Sequence, residues 1–447
     1  MRRTILAALV PAYLFLCILL GGSAQGTWGK LALEILGVAL IAYAAVRRPS
    51  ESNIRPTFLY GILFAALAVV LIQLVPLPAS LWSALPGRDE IVRGFSLLGF
   101  PLPSLAISEA PFTSLMTLFA FIPAIAAFVA TEKLRPPPGL LAIAVIAGTV
   151  LAVLFGAIQV ADGPGSWAYF YKITNEGAVG FFANQNHMAT LLLVTIPLTM
   201  ALIHSSAGEK ESSKAGRRWM GFIVLALVLV GVALNGSLAA YALVVPVLLA
   251  SLAAGPAFVR WRRLAVPLAV LAFAGGVVLL IGSPLSNTAD DSDASRSVTS
   301  RLEIWKGTSR AIADSFPVGT GLGTFEQAYR QHEDPLAVGR EYVNHAHDDY
   351  LEIVTELGLA GALLILAFMG WWAATSVAIW RSRLSTPFAK AATVVTAAVL
   401  LHSIVDFPLR TSAIASIFAA ALALMAQPAL VSRNRREARP SRHVKLG

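Results

Sequence analysis

The 447 residues contain one cysteine, Cys17, which excludes any disulfide within the chain. Cys17 falls inside the first apolar run, where a thiol serves as a small packing or lipid-facing group. Charge is also scarce. Asp, Glu, Lys and Arg make up 13% of the chain and hydrophobic residues 57%, whereas soluble domains carry about 25% charged residues. A soluble globular domain is therefore excluded, and the expected class is an all-α polytopic membrane protein. No convincing internal repeat is visible.

Twelve apolar runs of spanning length, ~20 residues each, lie near 4–22, 30–46, 58–75, 112–130, 139–160, 188–204, 219–235, 237–254, 265–282, 357–379, 388–405 and 411–427. The first, Ile5 to Leu20, follows Met1-Arg2-Arg3 and is expected to remain as an uncleaved helix. The chain thus divides into segments one to nine (1–282), a long polar loop (283–349), segments ten to twelve (350–430) and a basic tail (431–447).

The net charge of +9 raises nucleic-acid binding, and its distribution rejects that reading. Most of the basic residues fall in short gaps on one side of the alternating runs: Arg2 and Arg3, Arg47 and Arg48, Lys133 and Arg135, Lys210 to Arg218, Arg260 to Arg263, Arg381 to Lys390, and the tail from Arg433. By the positive-inside rule that side is cytoplasmic, and both termini are expected there. The tail would act as an anchor on anionic lipid. The other side receives three larger loops, Pro76–Pro111, Ala161–His187 and Ser283–Asp349. Nucleotide-activated substrates are absent from that compartment, so any reaction there needs an already activated, lipid-borne substrate.

Polar chemistry collects in the third loop. Between Ser300 and Ile312 helical spacing puts Arg301, Trp305, Thr308 and Ile312 on one face. Arg301 there could stack on Trp305 or snorkel to a headgroup, or grip a diphosphate with its planar fork. GTGLGT, Gly319 to Thr324, lacks a preceding strand and reads as a tight turn that lets backbone approach a neighbour. In NHAHDD, His345 and His347 with Asp348 and Asp349 could bind a metal, but no further His or Cys lies near in sequence and no metal is expected. One of them as a general base is the sharper reading. Asp348 or Asp349 would cap the next helix, and Glu352 and Glu356 would be solvated at its start. Elsewhere, Asn184, Asn186 and His187 stand where segment six begins, with Asn186 a candidate cap. His402 and Asp406 are i,i+4 neighbours expected to pair.

FFANQNHMA, SRLEIWK, FPVGTGLGTF, NHAHDDYLEIVTELGLAGALL and HSIVDFPLR, in this order over about residues 180–410, resemble the O-antigen ligase/polymerase membrane family. The resemblance implies a glycosyltransferase of the bacterial inner membrane, with about twelve helices and a long, partly helical periplasmic loop. It implies an undecaprenyl-diphosphate-linked glycan donor, a glycan or lipid A-core acceptor, and no cofactor. Arg301 matches the loop arginine that holds the donor diphosphate, and His347 the histidine that activates the acceptor hydroxyl. His345, Asn184, Asn186 and Arg410 are the further candidates for substrate contact. The chain departs from the family pattern at Leu238, where many members carry an arginine, and at Asp348 in place of Asn. Arg410, Arg88 or Lys172 would have to replace the missing arginine. The competing classes are a transporter or flippase, which would place its ionisable groups near the membrane midplane, and a non-catalytic partner in polysaccharide export.

Overall fold

A computed structural model describes residues 2–47, 57–171, 177–205, 211–255, 293–333 and 342–427. The ninth apolar run at 265–282, the start of the long polar loop at 283–292, Lys172 and the basic tail lie outside the described residues. The described chain is helical apart from one two-residue antiparallel pairing, β1 (Pro76–Leu77) with β2 (Leu105–Ala106).

The helices are α1 (Arg2–Leu20), α2 (Trp28–Val46), α3 (Thr57–Gln73), α4 (Ala79–Trp82), α5 (Asp89–Leu98), α6 (Pro111–Ala120), α7 (Ile122–Leu134), α8 (Pro138–Asp162), α9 (Gln185–His204), α10 (Glu211–Asn235) and α11 (Leu238–Ala253). They continue with α12 (Asp293–Ser315), α13 (Phe325–Arg330), α14 (Asp349–Arg381), α15 (Pro387–His402) and α16 (Ser412–Ala426). Six described spans are long and apolar enough to cross a membrane, α6 and α7 together forming one of them. Five shorter apolar helices accompany them. The protein is thus polytopic and all-α, as its apolar runs predict.

Two helices form the axis of the bundle. Asn186 to Ala201 of α9 are buried almost without interruption, enclosed by α8, α10, α11 and α15. Every residue from Ser412 to Met425 of α16 is buried against α7, α1 and α15. Apolar side chains carry most of this packing, including Leu191, Leu192, Leu193 and Ile196. A hydroxyl pair joins α8 to α9, Thr149 Oγ1 to Thr195 Oγ1 at 2.7 Å; one hydroxyl donates across the pair and the one that accepts donates to a carbonyl one turn back on its own helix. Small polar residues of this kind allow close helix approach without leaving a polar group unsatisfied in the apolar interior. Helix starts follow the side-chain cap rule: Thr27, Asn184, Ser237, Thr386 and Thr411 each accept a backbone N–H from the first turn.

At one end of the bundle the polar loops fold onto α14. Helix α12 packs along α14. The GTGLGT turn docks backbone to backbone against a kink at Gly358: Leu359 N–H donates to Pro317 O (2.9 Å), Thr320 N–H to Thr355 O (3.1 Å) and Gly321 N–H to Glu356 O (2.9 Å). Gln73 from α3 donates its Nε2 to Glu356 O (3.0 Å) and to Val318 O (3.3 Å), bridging both strands of the crossing. The loop between α3 and α6 joins through Glu109 N–H to Thr320 O (2.8 Å). The turn thus serves as a backbone contact, the role its glycines predict.

Gly358 has φ 59° and ψ −140°, a combination open essentially to glycine alone. A Cβ there would sit 2.2 Å from Pro317 O. Gly358→Ala is therefore expected to cost at least about 1–3 kcal/mol and to lower the melting temperature of the detergent-purified protein. Gly370→Ala, on the same helix with nothing within 4 Å of the new methyl, is expected to leave the melting temperature unchanged or raise it slightly. Equal melting of both variants contradicts the crossing described here.

Candidate functional site

The connector between α15 and α16, residues 403–411, is the floor of the polar end. Arg410 is buried and reaches three carboxylates on the first two turns of α14: Glu356 at 2.9 Å, Glu352 at 3.3 Å and Asp349 at 4.0 Å. Asp349 is further held by the Ser403 hydroxyl (2.7 Å) and by Leu409 N–H (3.4 Å), while its own N–H donates to Ser403 O (2.9 Å). Burial acts against the Arg410 charge, but these three carboxylates outweigh it and hold the guanidinium protonated beyond its ordinary range. Glu352 and Glu356, expected to be solvated, are instead fully buried. Their i,i+4 spacing sets both on the face that meets the connector.

Phe407, on the same connector, is ringed by three histidines. His345 stacks on it with ring centroids 4.0 Å apart, and His187 and His347 meet it edge-on at 4.9 and 5.0 Å. The two histidines of NHAHDD part company here. His345 Nδ1 contacts Glu352 Oε1 at 2.8 Å, and the neighbouring Ala346 N–H donates to Glu352 Oε2 at 3.1 Å. His347 turns the other way and sets Nδ1 3.3 Å from Asp406 Oδ1. A left-handed backbone at His347, φ 49°, produces this divergence; His adopts that region more readily than most residues. Its side chain retains 27% exposure beside a fully buried carboxylate.

Asp406 is the second hub. His187 Nε2 lies 3.9 Å from its Oδ1, and Phe407 N–H donates to the same oxygen at 2.9 Å. Burial pushes the Asp406 carboxyl up, but the contact with His347 and the imidazoles of His187 and His402 more than reverse this and hold it below the usual carboxylate range. Asp406 is thus an anion at neutral pH, suited to orient an imidazole and to stabilise the imidazolium. Among the described residues, Asp406 Oδ2, His347 Nδ1, His402 Nε2 and both ring nitrogens of His187 are buried without a hydrogen-bond partner, so the 3.3 Å approach of His347 to Asp406 is a close polar contact rather than a hydrogen bond. Such a concentration of unsatisfied polar atoms is unusual in a native interior.

Helix α12 closes over this hub. Arg301 Nε donates to Val405 O at 3.0 Å, and Trp305 Nε1 donates to Ala346 O at 3.1 Å. The face predicted for Arg301 and Trp305 therefore meets both the connector and the histidine turn. Two expected pairings differ, and the choice between two aspartates for a cap is resolved. His402 Nδ1 contacts Thr190 Oγ1 at 2.8 Å and its Nε2 makes no hydrogen bond to Asp406, although the two groups still interact electrostatically. Asn184, rather than Asn186, caps α9 by accepting Asn186 N–H at 2.8 Å, while Asn186 Oδ1 accepts the Ser237 hydroxyl at 2.7 Å. Asp348, of the two aspartates, caps α14 by accepting Tyr350 N–H and Leu351 N–H; burial raises its carboxyl to about 6.

Arg301, His345, His347 and Arg410 therefore converge on the 405–410 stretch. Asn184 and Asn186 lie at the start of α9, whose next residue, His187, enters the same hub. Arg88 does not join it, being buried in its own loop with Nη2 on Ile107 O. Sequence reasoning gave Asp406 only a pairing with His402, noted His187 only beside the α9 caps, and did not single out Phe407. The signal for Asp406 and Phe407 was the polar clustering of HSIVDFPLR at a membrane boundary. Among the described residues, no three His, Cys, Asp or Glu side chains converge as metal ligands.

Removing the cation should expose the strain in this arrangement. Arg410→Met leaves three buried carboxylates without a counter-charge and is expected to destabilise by about 3–5 kcal/mol, read as a fall in melting temperature. Adding Glu352→Gln and Glu356→Gln should recover most of the loss. No recovery would show that Arg410 acts through something other than these pairs.

No curated protein matches the chain. The family model described as O-Antigen ligase matches residues 222–366, a span that runs from α10 into α14 and holds Arg301, His345, His347, Glu352 and Glu356, but neither Asp406 nor Arg410. The resemblance read from the ordered motifs is thus found independently, and residues 222–366 carry the domain of the O-antigen ligase family of membrane enzymes, which includes ligase and polymerase types.

Proposed function

We propose that the protein is an inner-membrane glycosyltransferase that moves or polymerises an undecaprenyl-diphosphate-linked glycan at the periplasmic face. One observation supports this reading above the others: Arg301 and the His347–Asp406 pair meet at the 405–407 turn. In this reading the chain has about twelve spans and both termini are cytoplasmic.

The chemistry requires an acceptor hydroxyl to attack an anomeric carbon as the carbon–oxygen bond to diphosphate breaks. His347 takes the hydroxyl proton. Its Nδ1 faces Asp406, which leaves Nε2 on the opposite edge of the ring for the acceptor. The developing imidazolium is stabilised by the adjacent carboxylate, which itself stays ionised. Arg301 lies on the neighbouring turn of chain, anchored by Nε, and its guanidinium stabilises charge as it builds on the leaving diphosphate. The reaction in this form needs no metal. Leu238 withholds a cation that many family members place between α10 and α11, and Arg410 is bound to three carboxylates, so Arg301 carries the larger share of diphosphate recognition.

His347→Ala is expected to lower glycan transfer by about 10²–10⁴-fold while protein level and lipid-linked donor pools stay normal. Arg301→Lys should not restore an Arg301→Ala defect, because an ammonium lacks the planar fork. Transfer at the wild-type rate in His347→Ala, with loss in His345→Ala, would move the base to the His345–Glu352 pair. Orientation is read separately. Alkaline phosphatase fused after Gln331 should be active and fused after Arg381 inactive, and the reverse pattern would contradict the periplasmic placement.

A further inference from the structure

Beside His345, which stacks on Phe407, lies a cavity of about 560 Å³ that the proton transfer and diphosphate contacts above do not use. Its floor is polar, formed by His345, Glu352, Glu356 and Arg410, with Lys30 and Glu34 of α2 opposite. Its rim is apolar and faces outward: Trp28, Met116 and Phe119 are 87%, 41% and 41% exposed. The volume falls among cavities that hold small ligands, about 300–1,000 Å³. A polar floor beneath a lipid-facing rim suits a ligand with a polar head and an apolar continuation.

The floor also carries a specific unmet demand. Glu352 has both oxygens engaged, Oε1 by His345 and Arg410 and Oε2 by Ala346 N–H. Glu356 is equally buried, and its Oε2 accepts from Arg410 at 2.9 Å. Among the described residues, nothing donates to Glu356 Oε1. A buried acceptor left without a donor costs about 1–3 kcal/mol, more when charged, so a ligand that donates there is favoured. The lining sets Glu34, Glu352 and Glu356 against Lys30 and Arg410, and burial raises the Glu356 carboxyl to about 7, so these five groups sum to between zero and one negative charge. That balance opposes a phosphate and favours a neutral or cationic group.

We propose that this cavity is a sugar-binding subsite, receiving a neutral or amino sugar of the glycan substrate through a hydroxyl or ammonium that donates to Glu356 Oε1. Arg410 is a positioning residue here, holding Glu356 so that Oε1 faces the ligand. The two tasks are then divided, with diphosphate and proton transfer at His347 and sugar recognition beside His345. The assignment of that sugar as substrate rests on the transferase reading, whereas binding at the subsite can be measured without turnover.

The test is saturation-transfer NMR on the full chain in lipid nanodiscs, with methyl β-D-glucoside, glucosamine and glucose 1-phosphate as probes. The first two are expected to give transfer signals and the phosphate little. Glu356→Ala and, from the opposite wall, Met116→Trp should each abolish the signals. Met116 lies on an exposed face, so its replacement leaves the charge network and folding intact. Arg301→Ala should retain them. The proposal is overturned if neither neutral nor amino sugar binds the wild-type protein, if signals survive both cavity variants, or if Arg301→Ala removes them. Sugar binding with an active His347→Ala enzyme would keep the subsite and reject the transfer mechanism; loss of transfer in His347→Ala without sugar binding would do the opposite.

Discussion

The ion cluster of Arg410 with Asp349, Glu352 and Glu356 fixes the polar end of this protein. It ties the connector between the last two apolar helices to the first turns of α14, and the rest of the site follows from that attachment. With Arg410 anchored, Phe407 is carried between His187, His345 and His347, and Asp406 comes within reach of His347. Buried ion pairs add little net stability compared with apolar packing, and a better-attested use is to specify one arrangement among several. Here the carboxylates are spaced to accept a single guanidinium, so a slip of the connector along α14 would strand several charges.

The bundle beneath supplies rigidity. Helices α9 and α16 are nearly fully buried and apolar, and both end at the site: Asn184 and His187 at the start of α9, Thr411 just before α16. Side chains projecting from such elements are placed more closely than those on free loops. The described part of the long loop is held by Arg301 to Val405, Trp305 to Ala346, the buried cluster of Ile304, Phe325, Tyr329 and Ala346, and the glycine crossing at Gly358.

Much of this was legible from residue order. Runs of about twenty apolar residues announce spanning helices because lipid leaves few alternatives for the backbone, and eleven of the twelve runs coincide with described helices. The helical face of Arg301 and Trp305 and the glycine turn were also foreseeable. Pairings across the chain were not. The i,i+4 rule joined Asp406 to His402, yet Thr190 from α9 holds His402, and the imidazole closest to Asp406 is that of His347. Glu352 and Glu356 read as a solvated helix start because nothing local discloses that Arg410 will be buried against them. Asn184 and Asn186 are both plausible caps, and only the position of Ser237 on a different helix separates their roles.

The central claim is that His347 and Asp406 act as one unit. A double-mutant cycle on glycan transfer tests it, comparing His347→Ala, Asp406→Asn and the double variant at matched protein levels. Residues that act together are non-additive, so the double variant is expected to transfer no more slowly than His347→Ala alone. Losses that multiply, with the double variant slower than His347→Ala by the full factor seen for Asp406→Asn, would contradict the account.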